Sequence, residues 1–141
     1  GAFWYSRHTT LHCIVACVTL FPSPPMAHPS LIDVSNTKAQ MRKGILEFCI
    51  LLIISQGKTY TNDILKELRT ADLIVVEGTV YPILNRLKSA GLLEYDWSES
   101  PNGPPRKYYS LTQNGHDFLE QLVGTWESLD TSINTLLKKF N

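Results

Sequence analysis

Hydrophobic residues recur at helical spacing between residues 75 and 91. They form one stripe, made of Val80, Ile83, Leu84 and Leu87. Such spacing is typical of a helix that buries a single face. Pro82 is tolerated only near a helix start, and Gly91 can adopt the left-handed conformation that ends a helix. The pattern therefore predicts a short helix with a defined start and end.

Two further helices are predicted upstream. Asn36 or Thr37 can cap a helix that runs to about Ser55, and its apolar positions cover nearly all sides, as in a buried helix. A second, amphipathic helix spans about residues 61–70, and residues 73–75 have the composition of a short extended segment. Two short helices joined by a compact turn match the helix-turn-helix arrangement.

Alternation replaces helical spacing after the short helix. Residues 93–98 alternate between apolar and polar side chains, residues 101–105 form a turn cluster of Pro, Asn and Gly, and residues 106–111 read as a return strand. An isolated hairpin is marginal in water, so we expect Trp97 and Tyr109 to be buried anchors on the helices; stacking on bases is the alternative. Three helices followed by a hairpin is the winged-helix order.

A heptad pattern dominates the end of the chain, where Thr112 is a good N-cap. The apolar seam consists of Leu119, Leu122, Trp126, Leu129, Ile133, Leu136 and Phe140. Steps of three and four alternate, as in a coiled coil, and the helix is on the order of 40 Å long. Because this stripe outruns a winged-helix core, it predicts a homodimer; a helix folded back on its own domain is the alternative.

Composition excludes several classes of function. The formal net charge is zero, which argues against a broad polycation but permits a local basic patch. Three cysteines provide no disulfide framework, so we expect a reducing, cytoplasmic location, with Cys49 as a core thiol. His116 is expected to face solvent. No nucleophile–base pair or metal-binding set is recognisable, so we expect no enzyme, cofactor or metal site.

Residues 1–36 differ from the rest, because a short apolar run is followed by clustered prolines. The run is too short for a transmembrane helix, and no membrane association is expected. A secretory signal would fit its length, but we favour an extension without a fold of its own, with Met26 or Met41 as the true start. Four potential metal ligands occur here, at His8, His12, Cys13 and Cys17. Their crowding on one short segment argues against a zinc site.

The polar face of the short helix carries hydroxyls, an amide and cations, with no carboxylate after Glu77. Arg and Lys suit phosphate or guanine and Asn suits adenine, whereas an ordinary solvated face is the alternative. The candidate DNA-binding residues are Thr79, Tyr81, Asn85, Arg86 and Lys88 on this helix and Arg106 and Lys107 on the hairpin. A two-fold dimer sets two such helices about 34 Å apart, which predicts a pseudo-palindromic operator in double-stranded DNA.

Several motifs together resemble the PadR family of bacterial transcriptional regulators. They are RKGIL at 42–46, EGTVYPILNRL at 77–87, AGLL at 90–93, GPPRKYY at 103–109, and Leu111-Thr112 with Gly115. The resemblance covers about residues 40–140 and departs at Thr61-Asn62, where the family often has Gly-Tyr. The patterns and the resemblance together predict an α+β, mostly α fold, with a winged helix-turn-helix at 37–111 and a single C-terminal dimerisation helix at 112–141. Nothing in the family resembles residues 1–36, which are expected to be an extension.

The resemblance also implies a function. It suggests a repressor that releases its operator when a small, often aromatic, effector binds. In multidrug-binding members a tryptophan of the C-terminal helix stacks on planar ligands at the dimer interface, and Trp126 falls at a similar position. Trp126 equally suits plain packing in the seam. The competing hypothesis is a winged-helix protein–protein interaction module without DNA binding, which cations on separate faces would favour.

Overall fold

The computed structural model describes residues 33–73 and 75–141. The helices of this part are α1 (Val34–Ile54), α2 (Thr61–Thr70), α3 (Glu77–Ser89) and α4 (Gln113–Phe140), and the strands are β1 (Thr59–Tyr60), β2 (Leu93–Ser100) and β3 (Gly103–Leu111). This order confirms the predicted mostly helical winged-helix fold with a long C-terminal helix. The predictions for residues 1–32, including the argument against a zinc site at His8, His12, Cys13 and Cys17, lie outside the described residues.

Helix α1 begins at Val34, so the predicted caps Asn36 and Thr37 lie inside it and that prediction is wrong. Its burial is also uneven. Residues 34–44 are exposed, with Met41 at 69%, whereas Leu46 and Ile50 are buried. The expected all-round burial fails for the first half because the run of apolar residues starts only at position 45. The second half of α1 supplies one wall of the core.

The core joins α1, α2 and α3 to one face of the sheet. Its members are Leu46, Ile50, Leu51, Ile54, Ile64, Leu65, Leu68, Val80, Leu84, Leu87, Leu93, Tyr109, Leu111 and Leu119. Each fully buried aliphatic side chain contributes about 1.5–3 kcal/mol. The bounds of α2 are those predicted, and the α3 stripe is buried except for Ile83, which is half-buried. Pro82 lies inside α3, in the second turn, further in than its expected place at the start.

The sheet has three strands where the sequence predicted two. Its order is β1-β3-β2, antiparallel throughout, and the two-residue β1 places Tyr60 opposite Tyr108. Strand β3 starts at Gly103, three residues before the predicted return strand. In the predicted extended segment, Leu73 belongs to no strand because its N–H donates to the Leu68 carbonyl (2.8 Å) in the turn that ends α2. Ile74 lies outside the described residues.

Of the two predicted aromatic anchors, one is buried and the other is exposed. Tyr109 is buried at 3% exposure, but Trp97 is 61% exposed, so its predicted burial is wrong. Burial along β2 ends at Tyr95, and residues 96–99, Trp97 among them, are exposed. The Trp97 ring instead meets Tyr95 edge-on, with 6.2 Å between the ring centroids.

A compact joint connects the end of α3 to the start of α4. Gly91 ends α3 at φ +76°, as predicted, and the Thr112 hydroxyl donates to its carbonyl (2.6 Å). Thr112 is also the predicted N-cap, because its Oγ1 accepts from the Gly115 N–H (3.0 Å). Gly115 lies so near the Leu92 carbonyl that an added Cβ would collide with it. Four residues thus hold the two helices together.

Helix α4 projects its seam into solvent over most of its length. Gly115 and Leu119 are buried, whereas the seam residues from Trp126 onward are 41–89% exposed. An apolar stripe of this length on one chain is what the heptad pattern predicted. None of the helices in the described ranges is long and apolar enough to cross a bilayer.

Candidate nucleic-acid interface

A groove opens between α3 and the β2–β3 hairpin, with a volume of about 480 Å³. We call it the wing groove. Its polar and aromatic lining includes Tyr60, Tyr81, Asn85, Trp97, Arg106 and Lys107. Four of the seven predicted DNA-binding residues therefore meet here, two from α3 and two from β3. The hairpin length and the helical periodicity of α3 bring them together across at least 21 positions of sequence.

The cations on this side of α3 rest on aromatic rings. The Arg106 guanidinium lies 4.7 Å from the centroid of the Tyr60 ring. Lys88 Nζ lies 4.4 Å and Lys107 Nζ 4.6 Å from the centroid of the Tyr95 ring. A ring attracts a cation through its quadrupole but carries no net charge. The rings therefore hold these three cations without placing an opposite charge beside them.

The opposite side of α3 is arranged differently. Arg86 Nη2 lies 2.8 Å from Glu47 Oε2 of α1, and the two side chains are 63% and 35% exposed. Thr79 lines the same shallow pocket of about 280 Å³. The structure thus separates Thr79 and Arg86 from the wing groove. We call these two sides the wing flank and the α1 flank.

Strand alternation keeps carboxylates out of the wing groove. Asp96 lies on the sheet face opposite Tyr95 and Trp97, where Asp96 Oδ2 pairs with Lys58 Nζ at 2.8 Å. The hydrogen bond and charge of Asp96 raise the pKa of Lys58. Glu77, in the first turn of α3, accepts a hydrogen bond from Tyr81 at the edge of the groove. The lining residues of the groove include two cations, Arg106 and Lys107.

Tyr81 is a protonated donor at the groove edge. Burial raises the pKa of its hydroxyl, and the hydrogen bond to the Glu77 carboxylate raises it further. Its side chain is nevertheless 45% exposed, which leaves it able to reach a ligand. Asn85, one turn further along α3, is exposed as well. An amide and a phenol at this spacing can read base edges.

The profile of the Transcriptional regulator PadR-like family matches residues 50–121. The chain belongs to this family. It is 51% identical to a PadR-like transcription factor from Bacteroides fragilis, covering 72% of this chain and 98% of that one, with a TM-score of 0.61. A PadR-like regulator from Bacillus cereus is 40% identical over 70% and 96% of the two chains (TM-score 0.63), and one from Eggerthella lenta is 30% identical over 74% and 91% (0.67).

Two residues that organise the site of this PadR-like protein were not predicted from the sequence. Tyr60 carries Arg106 and accepts a hydrogen bond from Asn62 Nδ2 (2.9 Å), and Tyr95 carries Lys88 and Lys107. Trp97 pairs with Lys107 across the strands. A hairpin turn centred one residue earlier than the predicted one gives this register. No pattern in the sequence around Tyr60 indicates its contact with Arg106.

Other reactive groups of this PadR-like protein lie apart. Within residues 33–73 and 75–141 no three His, Cys, Asp or Glu side chains converge on a metal position. Cys49 is half-buried, and burial raises the pKa of its thiol, as expected for a core cysteine. His116 is exposed, as predicted.

Proposed function

We propose that this chain is a DNA-binding transcriptional repressor that acts as a homodimer. The observation that carries the proposal is the wing groove, where Tyr81, Asn85, Arg106 and Lys107 come together beside an α3 that faces solvent. In the proposed complex α3 enters the major groove and the hairpin lies against the backbone. The family membership supports the same function.

The roles follow from chemistry. Asn85 is proposed to read one base, since its amide suits adenine, with Tyr81 beside it. Lys88, Arg106 and Lys107 are proposed to bind backbone phosphates. On the α1 flank, Thr79 and Arg86 would contact the adjacent strand, and Arg86 would do so by exchanging Glu47 for a phosphate.

The proposed dimer forms through α4. Its exposed seam of Trp126, Leu129, Ile133, Leu136 and Phe140 would continue from the buried Leu119 and the half-buried Leu122. Two copies of this stripe would pack as a coiled coil and set the two α3 helices on successive major grooves of a pseudo-palindromic operator. In this division residues 37–111 bind DNA and 112–141 dimerise.

An effector site is proposed at Trp126. Its ring centroid lies 6.4 Å from that of Phe48 in α1, and the side chain is 41% exposed. A small planar aromatic molecule would stack there at the dimer interface and release the operator. Titration of Trp126 fluorescence with planar aromatic cations tests this, since Trp126→Leu would remove both the binding and the release.

Fluorescence anisotropy on the promoter segment upstream of the protein's own gene tests DNA binding. We expect salt-sensitive binding. Arg106→Ala should weaken it evenly across sequences, whereas Asn85→Ala should lose about 1–3 kcal/mol of preference at one base pair. Absence of salt-sensitive binding at low ionic strength would contradict the proposal.

A matched pair of substitutions tests the dimer. Ile133→Asp places a carboxylate in the seam, and Ser132→Asp places the same group one position away, off the seam. Sedimentation analysis should find Ile133→Asp monomeric and Ser132→Asp dimeric. A monomer at high concentration for the unaltered chain would overturn the dimer and the operator geometry with it.

One observation favours the alternative, a protein–protein interaction module without DNA binding. Arg86 lies on the α1 flank, paired with Glu47, whereas Lys88, Arg106 and Lys107 lie on the wing flank. The cations therefore do not form one continuous patch. The anisotropy experiment decides between the two functions, because the interaction module predicts no salt-sensitive affinity for any duplex.

A further inference from the structure

Two lysines from different elements share a single aromatic ring. Lys88 comes from the last turn of α3 and Lys107 from β3, and their ammonium nitrogens lie 4.4 and 4.6 Å from the Tyr95 ring centroid. Lys88 also donates to Tyr95 Oη at 3.4 Å. The ring thus links the proposed recognition helix to the wing through their cations.

Neither lysine is neutralised by a neighbour. In the described ranges the ion pairs are Lys58–Asp96 and Arg86–Glu47, so Lys88 and Lys107 have no carboxylate partner there. Two like charges beside one ring repel each other, and the negative face of the ring offsets that repulsion. The arrangement holds two positive charges together and leaves both free to meet anions.

Holding a lysine in place matters because its side chain is long. A free lysine loses much of its rotamer freedom when it binds a phosphate, and that loss weakens binding. An ammonium already placed against Tyr95 has lost part of this freedom beforehand. A carboxylate would order the lysine equally well, but a phosphate would have to displace it.

We propose that Tyr95 is a positioning residue, which holds Lys88 and Lys107 at a fixed spacing so that recognition helix and wing grip neighbouring DNA phosphates as one unit. The inference rests on the proposed DNA binding. Tyr95 itself contacts no DNA in this arrangement and acts only through the two lysines.

Epistasis in DNA affinity tests this proposal. The probe is a mixed-sequence duplex near 0.1 M salt, because phosphate contacts do not depend on sequence. Lys88→Ala with Lys107→Ala should weaken binding by about a hundredfold, since each lost phosphate contact counts for about tenfold near 0.1 M salt. Tyr95→Leu should weaken DNA binding by about tenfold, because both lysine side chains would then lose their rotamer freedom only when they bind DNA.

The lysine-free background separates positioning from folding. There, Tyr95→Leu should have no further effect, because the residues through which it acts are gone. Tyr95→Phe in the otherwise unaltered chain should stay within about twofold, since the ring face remains. A further loss in the lysine-free background, or full affinity in Tyr95→Leu, would overturn the proposal.

A measurement without DNA distinguishes this inference from the proposed function. The Tyr95 ring current should shift the side-chain methylene resonances of Lys88 upfield in the unaltered protein and in Tyr95→Phe, but not in Tyr95→Leu. Lys107 Nζ also lies 5.2 Å from the centroid of the Trp97 ring, so the Lys107 resonances should lose only part of their shift in Tyr95→Leu. Missing shifts would overturn the positioning role even if DNA binds. Shifts present in a protein with no salt-sensitive DNA binding would overturn the proposed function instead.

Discussion

The two flanks of α3 hold their cations by different means. On the wing flank, Lys88 and Lys107 rest on the Tyr95 ring, whereas on the α1 flank Arg86 forms a 2.8 Å ion pair with Glu47. The ring restricts the cationic side chain without neutralising its charge, whereas the carboxylate both restricts the side chain and neutralises the charge. The cations on the two sides of α3 are therefore not equally available to bind an anion. A count of Arg and Lys residues in the sequence does not reveal this difference.

The largest expected effect comes from reversing a charge on the wing flank. Lys107→Glu should weaken duplex binding by about a hundredfold near 0.1 M salt, because a phosphate contact is lost and a repulsion of similar size replaces it. Anisotropy titrations measure this, with Lys138→Glu in the last turn of α4 as the control. If Arg86→Glu costs as much as Lys107→Glu, the two flanks do not differ in the way proposed.

A smaller effect of opposite sign is expected on the α1 flank. Glu47→Gln should strengthen duplex binding, by up to about tenfold, because it frees the Arg86 guanidinium for a phosphate. The gain should vanish when Arg86→Ala is added. Glu120→Gln, an exposed carboxylate on α4, serves as the control for overall charge. A gain that persists without Arg86 would show a general charge effect and no release of this residue.

Neither flank should contribute much to stability. The Glu47–Arg86 pair is largely exposed, so Arg86→Ala should lower the free energy of unfolding by about 1 kcal/mol or less. Lys107→Ala should have a similar effect, since exposed cation–π contacts are worth about 0.5–1 kcal/mol. Urea denaturation measures both. A much larger loss in either variant would mean that the affinity comparison reports on folding.

The smallest effect concerns Tyr81 on the wing flank. Its raised pKa favours the neutral phenol in the folded state, so its contribution to stability is present below the unfolded pKa near 10 and is lost as the pH rises through the folded pKa. Phenolate absorbance should show a late-titrating group that Tyr81→Phe removes. Duplex affinity should stay level from neutral pH towards pH 10; a fall tied to Tyr81 would contradict the shift.

Local signals in the sequence were sufficient where the deciding contact was itself local. Helix α2 ends as predicted because its stripe and the breaking turn at Asp72–Leu73 lie within a few residues of each other. The Thr112 cap reaches only to Gly115, and Gly91 needs only its own positive φ. Such features can be read from neighbours along the chain.

Contacts between distant residues were not readable in this way. Glu47 and Arg86 are 39 positions apart, and nothing in either neighbourhood indicates that they pair. Strand β1 is two residues long, too short to show any period. Trp97 is a large aromatic residue in an alternating strand, as a buried anchor would be, but burial along β2 ends at Tyr95. Each of these depends on how separate elements are placed in space.

The joint at Thr112 connects the start of the long helix to the end of α3. Helix α4 is hydrogen-bonded there to Gly91 and Leu92, directly behind the C-terminal end of α3, and it extends past the Trp126–Phe48 contact to Phe140. Because the helix is long, a small rotation at its start corresponds to a much larger displacement of its C-terminal end. A displacement of the far end of α4 would therefore reach the C-terminal end of α3 only as a small change of angle.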